Sequence, residues 1–115
     1  MTRVTGSLRP ARNRSVVGAW AVIQAGGTGK LHSSYNVASY TDNGDGDHSL
    51  SFVIPFASAS QYAVLCSSAN INNQMFNGTD ESNPPLATSL RVLTINASNV
   101  LVDVDPTMVM CVGRR

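Results

Sequence analysis

The chain has 115 residues, a formal net charge of +1, and 13% charged against 43% hydrophobic residues. That length holds one core, since a domain of this size buries about two-thirds of its unfolded surface. The charge content, well under the ~25% of an average soluble protein, excludes a polyelectrolyte, and no run of about eighteen apolar residues is present to cross a bilayer as a helix.

The one strong asymmetry of charge is at the start. Arg3, Arg9, Arg12 and Arg14 are half of the basic residues, and no acid precedes Asp42. Residues 1–17 have no hydrophobic period, contain Gly6 and Pro10, and carry too little apolar surface to fold alone, so they read as an extended basic arm that docks on a partner. The arm lacks the continuous apolar run of a secretory signal, which predicts a soluble protein made in the cytoplasm, where the sequons at Asn13, Asn77 and Asn96 carry no meaning.

From Gly18 the segment GAWAVIQAGG alternates, with Trp20, Val22 and Gln24 on one side and Ala19, Ala21 and Ile23 on the other, and Gly26-Gly27-Thr28-Gly29 ends this first strand. The organising stretch follows. SYNVASYTDNGDGDHSLSF, 34–52, reads as a β-hairpin whose first arm runs over 30–40 with Tyr35, Val37 and Ser39 on one face. The second arm, 48–54, places Leu50, Phe52 and Ile54 on one face and stops at Pro55, while residues 42–47 supply turn chemistry tolerant of positive φ.

QYAVLCS, 61–67, is a further strand with Tyr62, Val64 and Cys66 on one face. Residues 68–88 are rich in Asn, Ser and Pro and read as a long loop, with Asn73, Met75, Phe76 and Asn77 as a candidate recognition loop because two bulky apolar residues stand among polar ones. SLRVLTIN and NVLVDV, 89–96 and 99–104, read as a second hairpin through Ala97-Ser98. The last strand, TMVMCVG over 107–113, is nearly all apolar, which implies burial on both faces, either under a second sheet or against another subunit; Met108, Met110 and Val112 are its candidate subunit-interface residues. About seven short strands with turn signals every 8–12 residues and no helical period predict an all-β fold: an antiparallel β-sandwich, jelly-roll-like, over 18–115, behind the arm.

Little in the sequence carries reaction chemistry. The string Gly26-Gly27-Thr28-Gly29-Lys30 invites a phosphate loop, but Gln24 stands where the first glycine belongs, Leu31 replaces Ser or Thr, and no helix follows. Asp42, Asp45 and Asp47 lack the spacing and the downstream glutamate of a calcium loop and read as a solvated turn; Asp103 and Asp105 read as a polar strand end. His32 and His48 fall beside polar residues on strand arms and read as exposed histidines, not bases. Cys66 and Cys111, too few for a disulfide framework, read as buried thiols, with a bridge between copies as the alternative. The expectation is a protein that is no enzyme and uses no cofactor or metal. The folded part lacks a basic patch and a stacking platform, so no nucleic-acid partner is expected, and no membrane one.

The order AWAVIQAGGTG, SYNVASYTDNGDGDHSLSF, QYAVL and SLRVLTINASNVLVDVDPTMVMCVGR resembles a small β-domain of tailed bacteriophages, found at the C-terminal end of tail-fibre-like proteins. The resemblance covers nearly everything from Gly18 onward and is most specific at Ala19-Trp20 and from Ser34 to Gly44. It implies a virion component without enzymatic activity, assembled as a trimer; the residues themselves imply an oligomer without a number. With no fibrous stalk before it, the domain fits a tail-fibre, fibre-collar or decoration subunit that joins other virion proteins through its arm. The alternative is a host-receptor module reading a cell-surface glycan or protein.

Overall fold

The structure, a computed structural model, describes residues 16–69 and 75–114. Among the described residues there is no helix and there are eight strands: β1 (Val16–Gln24), β2 (Lys30–Tyr35), β3 (Val37–Gly44), β4 (Asp47–Phe52), β5 (Tyr62–Ser68), β6 (Met75–Thr79), β7 (Ser89–Asn96) and β8 (Thr107–Gly113). They form two four-stranded sheets, ordered β2-β1-β8-β5 and β3-β4-β7-β6, with every pair antiparallel.

The two-residue period explains which side of each strand is covered. On β1 Ala19, Ala21 and Ile23 are buried and Trp20 is exposed, as the alternation predicts, and on β8 Val109 and Cys111 are buried while Met108 and Met110 are exposed. These inner residues share one core with Leu50, Phe52, Leu90 and Val92 of the second sheet. Covering a side chain such as Ile23 or Val92 contributes roughly 1.5–3 kcal/mol relative to exposure. One end of the core is aromatic: Phe52 meets Phe56 edge-on with centroids 5.2 Å apart, and Phe56 stacks on Tyr62 at 4.2 Å.

Six sequence-based expectations change. The arm predicted as one strand over 30–40 is broken at Asn36, whose φ of 59° turns the chain from β2 in the first sheet to β3 in the second, so Tyr35 and Val37 share no face. The hairpin proper is β3–β4, and its turn is tighter than 42–47, because Asp42 and Gly44 already pair with His48 and Asp47. The loop predicted over 68–88 contains β6, which pairs with β7 from Met75↔Asn96 to Thr79↔Val92; its polar composition hid a strand that is last in the order of the second sheet among the described residues. Residues 99–104 are no strand. They follow β7 only through the Ile95↔Leu101 bridge and through backbone bonds such as Val102 N–H to Thr94 O at 3.0 Å. β1 also begins at Val16, two residues inside the predicted arm, with Val16 and Val17 paired to Gly113 and Val112. Ile54 lies beyond the end of β4 and is half exposed.

Candidate functional site

The two outer faces of the molecule are chemically unlike. Across the first sheet the register aligns Tyr35, Trp20, Met110 and Leu65 in one row over β2, β1, β8 and β5. A second row runs Ser33, Val22, Met108 and Ser67, and a third runs Val17, Val112 and Ala63. No charged residue stands in these rows. Trp20, Tyr35, Leu65, Met108 and Met110 are left 37–51% exposed. Aromatic and long aliphatic side chains at that exposure, with their valine neighbours, put about 600 Å² of apolar surface in one patch, at the upper end of what a monomer leaves uncovered. Met108, Met110 and Val112, the predicted interface residues, therefore share one face, and the register adds Trp20, Tyr35 and Leu65, which strand-by-strand reading did not bring together. Between the Leu65–Met110 and Ser67–Met108 pairs lies a groove of about 300 Å³.

Over the second sheet the outward residues are mostly hydroxylated: Ser39, Ser51 and Ser89 in one row, and Thr41, Ser49 and Arg91 in the next. Ser39 and Ser51 are hydrogen-bonded. Arg91 donates from Nε and Nη2 to the two carboxylate oxygens of Asp47 at 2.8 and 2.7 Å, and Asn43 Nδ2 donates to Ser49 Oγ at 2.6 Å. This bidentate Arg91 contact, aided by Asn43, holds the Asp47 carboxyl below its usual range, although partial burial opposes it. Asp47 is thus no solvated turn residue; it is buried and paired. Toward the edge, Phe76 stands exposed beside Leu93 and Ile95 over a groove of about 200 Å³. Met75, Phe76 and Asn77 accordingly sit on a strand instead of a loop, with Asn77 Nδ2 tied to Thr94 Oγ1 at 2.9 Å. Asn73 and the arm residues Arg3, Arg9, Arg12 and Arg14 lie outside the described residues.

The nearest approach to reactive chemistry is at one end of the two sheets, and it corrects the expectation of an exposed His48. His48 has no solvent exposure. It lies on the inner side of β4, opposite Val92, so the alternation that buries Leu50 and Phe52 buries it too. Tyr40 Oη is 2.7 Å from its Nδ1. Burial, followed by the carboxylates of Asp42, Asp103 and Asp105, pushes the Tyr40 hydroxyl up to about 12, so it keeps its proton. Nε2 lies 3.9 Å from Asp103 Oδ1, beyond hydrogen-bond reach, and is a buried nitrogen without a partner among the described residues.

The aspartates around it are fasteners between loops. Asp103 Oδ1 accepts from Gly46 N–H at 2.7 Å, Asp105 Oδ1 from Ala25 and Gly26 N–H, and Asp42 Oδ1 from Gly44 N–H at 3.0 Å. Among the described residues no group of three or more His, Cys, Asp or Glu could hold a metal ion. The contacts that are made are structural ties: Tyr40 to His48 joins β3 to β4, and Asp103 to Gly46 N–H joins the 97–106 segment to the β3–β4 turn. His32, by contrast, is exposed as the extra residue of the bulge between Val22↔Ser33 and Ile23↔Leu31.

Cys66 and Cys111 are free thiols on the inner face, with Cys111 buried and Cys66 half-buried. Burial pushes them up to about 11 and about 12. No protein-family model, no curated protein and no solved structure matches this chain.

Proposed function

We propose that this chain is a non-enzymatic structural subunit of a tailed-phage virion: a jelly-roll-like β-sandwich that assembles with copies of itself into a knob and is attached by its basic N-terminal arm. One observation carries the reading: three successive uncharged, largely apolar rows on the outer face of the sheet β2-β1-β8-β5, bordered at one end by the Gln24↔Lys30 pair, while the other sheet presents rows of Ser and Thr and the Arg91–Asp47 pair. A subunit that buries it against copies removes about 1,000 Å² or more from water in total, enough for a specific interface. The phage assignment and the trimer come from the sequence resemblance, as does a place among tail-fibre, fibre-collar or decoration proteins. Synthesis in the host cytoplasm and residence in the virion follow from the same reading.

Deleting residues 1–15, which leaves β1 whole from Val16, tests it. The truncated protein is expected to stay folded and oligomeric by sedimentation velocity while failing to join particles assembled without the native chain. Normal incorporation of the truncated protein would refute the attachment role, and a monomer at all concentrations would refute the assembly role.

A second reading rests on Phe76, 48% exposed at the sheet edge over the groove with Leu93 and Ile95, on the face opposite the assembly surface. A host-receptor module would present that face outward. Purified protein should then compete with phage adsorption, and Phe76→Ala should abolish the competition; adsorption unaffected by excess protein counts against it.

A further inference from the structure

We infer that the apolar face is self-complementary in a specific way: Trp20 of one copy seats in the groove over β5 and β8 of the next. This rests on the self-association proposed above and names its anchor. The groove, about 300 Å³, lies between the Leu65–Met110 and Ser67–Met108 pairs, with Cys66 and Val109 as its floor. It exists because Ser67 is short where Leu65, Met108 and Met110 are long.

Trp20, the single tryptophan of the chain, stands on β1, beside β8 on the same face, and keeps 37% of its surface exposed. A large flat side chain next to an apolar groove of matching chemistry is the arrangement of a binding anchor, and tryptophan is the residue most enriched among anchors. Its indole N–H needs an acceptor once water is excluded, and the Ser67 hydroxyl on the groove rim supplies one.

Charge selects the occupant. Neither Trp20 nor the groove has a charged residue in its rows, so a charged partner would leave its own groups desolvated and unpaired. A second copy brings the same uncharged rows and gives apolar contact on both sides. Because the tryptophan and the groove lie side by side, each copy donates one and receives one. That satisfies a closed ring as well as a two-fold pair.

The test follows the full-length chain by sedimentation velocity and by the emission of its single tryptophan over the same concentration series. Emission is expected to move to shorter wavelength as the mass rises. Ser67→Phe fills the groove at an exposed position; it should raise the dissociation concentration at least ~10-fold and leave Trp20 emitting as an exposed indole, with an unchanged circular dichroism spectrum. Trp20→Ala should show the same loss by sedimentation, and Ser51→Lys on the opposite face should change nothing. An oligomer whose Trp20 emission ignores concentration, or a Ser67→Phe protein that associates like the parent, overturns the anchor while leaving self-association standing. A monomer with Trp20 already emitting as buried means that the chain's own 1–15 segment covers the face, and overturns both.

Discussion

Asn36 is the residue on which the two-sheet arrangement turns, and removing its side chain should be one of the most damaging polar substitutions in the chain. Its φ of 59° lies where a residue with a Cβ is strained, and Asn tolerates it better than most. Its amide Nδ2 donates to Gly18 O at 2.8 Å and to Ile54 O at 2.9 Å, while its Oδ1 accepts from Ile54 N–H at 2.8 Å. One side chain thereby joins β1, the β2–β3 corner and the segment after β4. A net hydrogen bond is worth about 1 kcal/mol. Discounting the two on the exposed side, the three sum to about 2 kcal/mol, and an alanine at this φ adds about 1 kcal/mol. Asn36→Ala should therefore cost about 3 kcal/mol, a large share of the 5–15 kcal/mol of an ordinary domain, and lower Tm by roughly 10–20 °C. Asn36→Gly keeps the backbone relaxed and should lose only about 2 kcal/mol. Urea unfolding of the three proteins measures this. If Asn36→Ala costs under ~1 kcal/mol, or if alanine is no worse than glycine, the corner is not held in the way described.

Three further outcomes follow from the same geometry. Gly46, at φ 63°, has Thr94 O, Val102 N and Val102 O at 2.5, 2.6 and 2.7 Å from where a Cβ would stand, whereas Gly44, at φ 134°, has open space. Gly46→Ala should cost at least ~3 kcal/mol and Gly44→Ala only about 1–2 kcal/mol by urea unfolding, and equal costs would show that the contacts do not matter. Asp47, held low by Arg91, binds fewer protons folded than unfolded near its titration, so its contribution is whole above pH ~4 and fades as pH falls through its lowered folded value. Asp47→Asn should flatten that part of the stability-versus-pH curve, and a slope unchanged from the parent would refute the pairing. Cys66 and Cys111, pushed up to about 11 and about 12 by burial, should resist a thiol reagent at pH 8 in the folded chain and react fully in urea; rapid native modification of Cys66 would contradict its burial.

The resistant parts of this molecule to sequence reading are those set by contacts between distant residues. Alternation along one strand is local, and it sufficed to assign Ala19, Ala21 and Ile23 inward and Trp20 outward, and to single out Met108, Met110 and Val112 on an apolar last strand. Tyr62, Val64 and Cys66 likewise share a face as their spacing requires. The same alternation contained the burial of His48, two residues before Leu50 and four before Phe52, but a polar residue type outweighed the period. β6 escaped because its five residues are flanked by Asn- and Pro-rich segments with turn composition.

Composition and period thus determined an all-strand chain with one core, the placement of most strands, and which side chains point in. The tertiary structure decided which strands are neighbours. Only that pairing, a matter of long-range register, lines up Tyr35, Trp20, Met110 and Leu65 into a continuous uncharged row, sends β2 and β3 to different sheets at Asn36, and brings Tyr40, His48 and Asp103 to one end. A two-residue period fixes a side chain's direction relative to its own backbone and carries no information about what stands 4.7–4.9 Å away on the next strand.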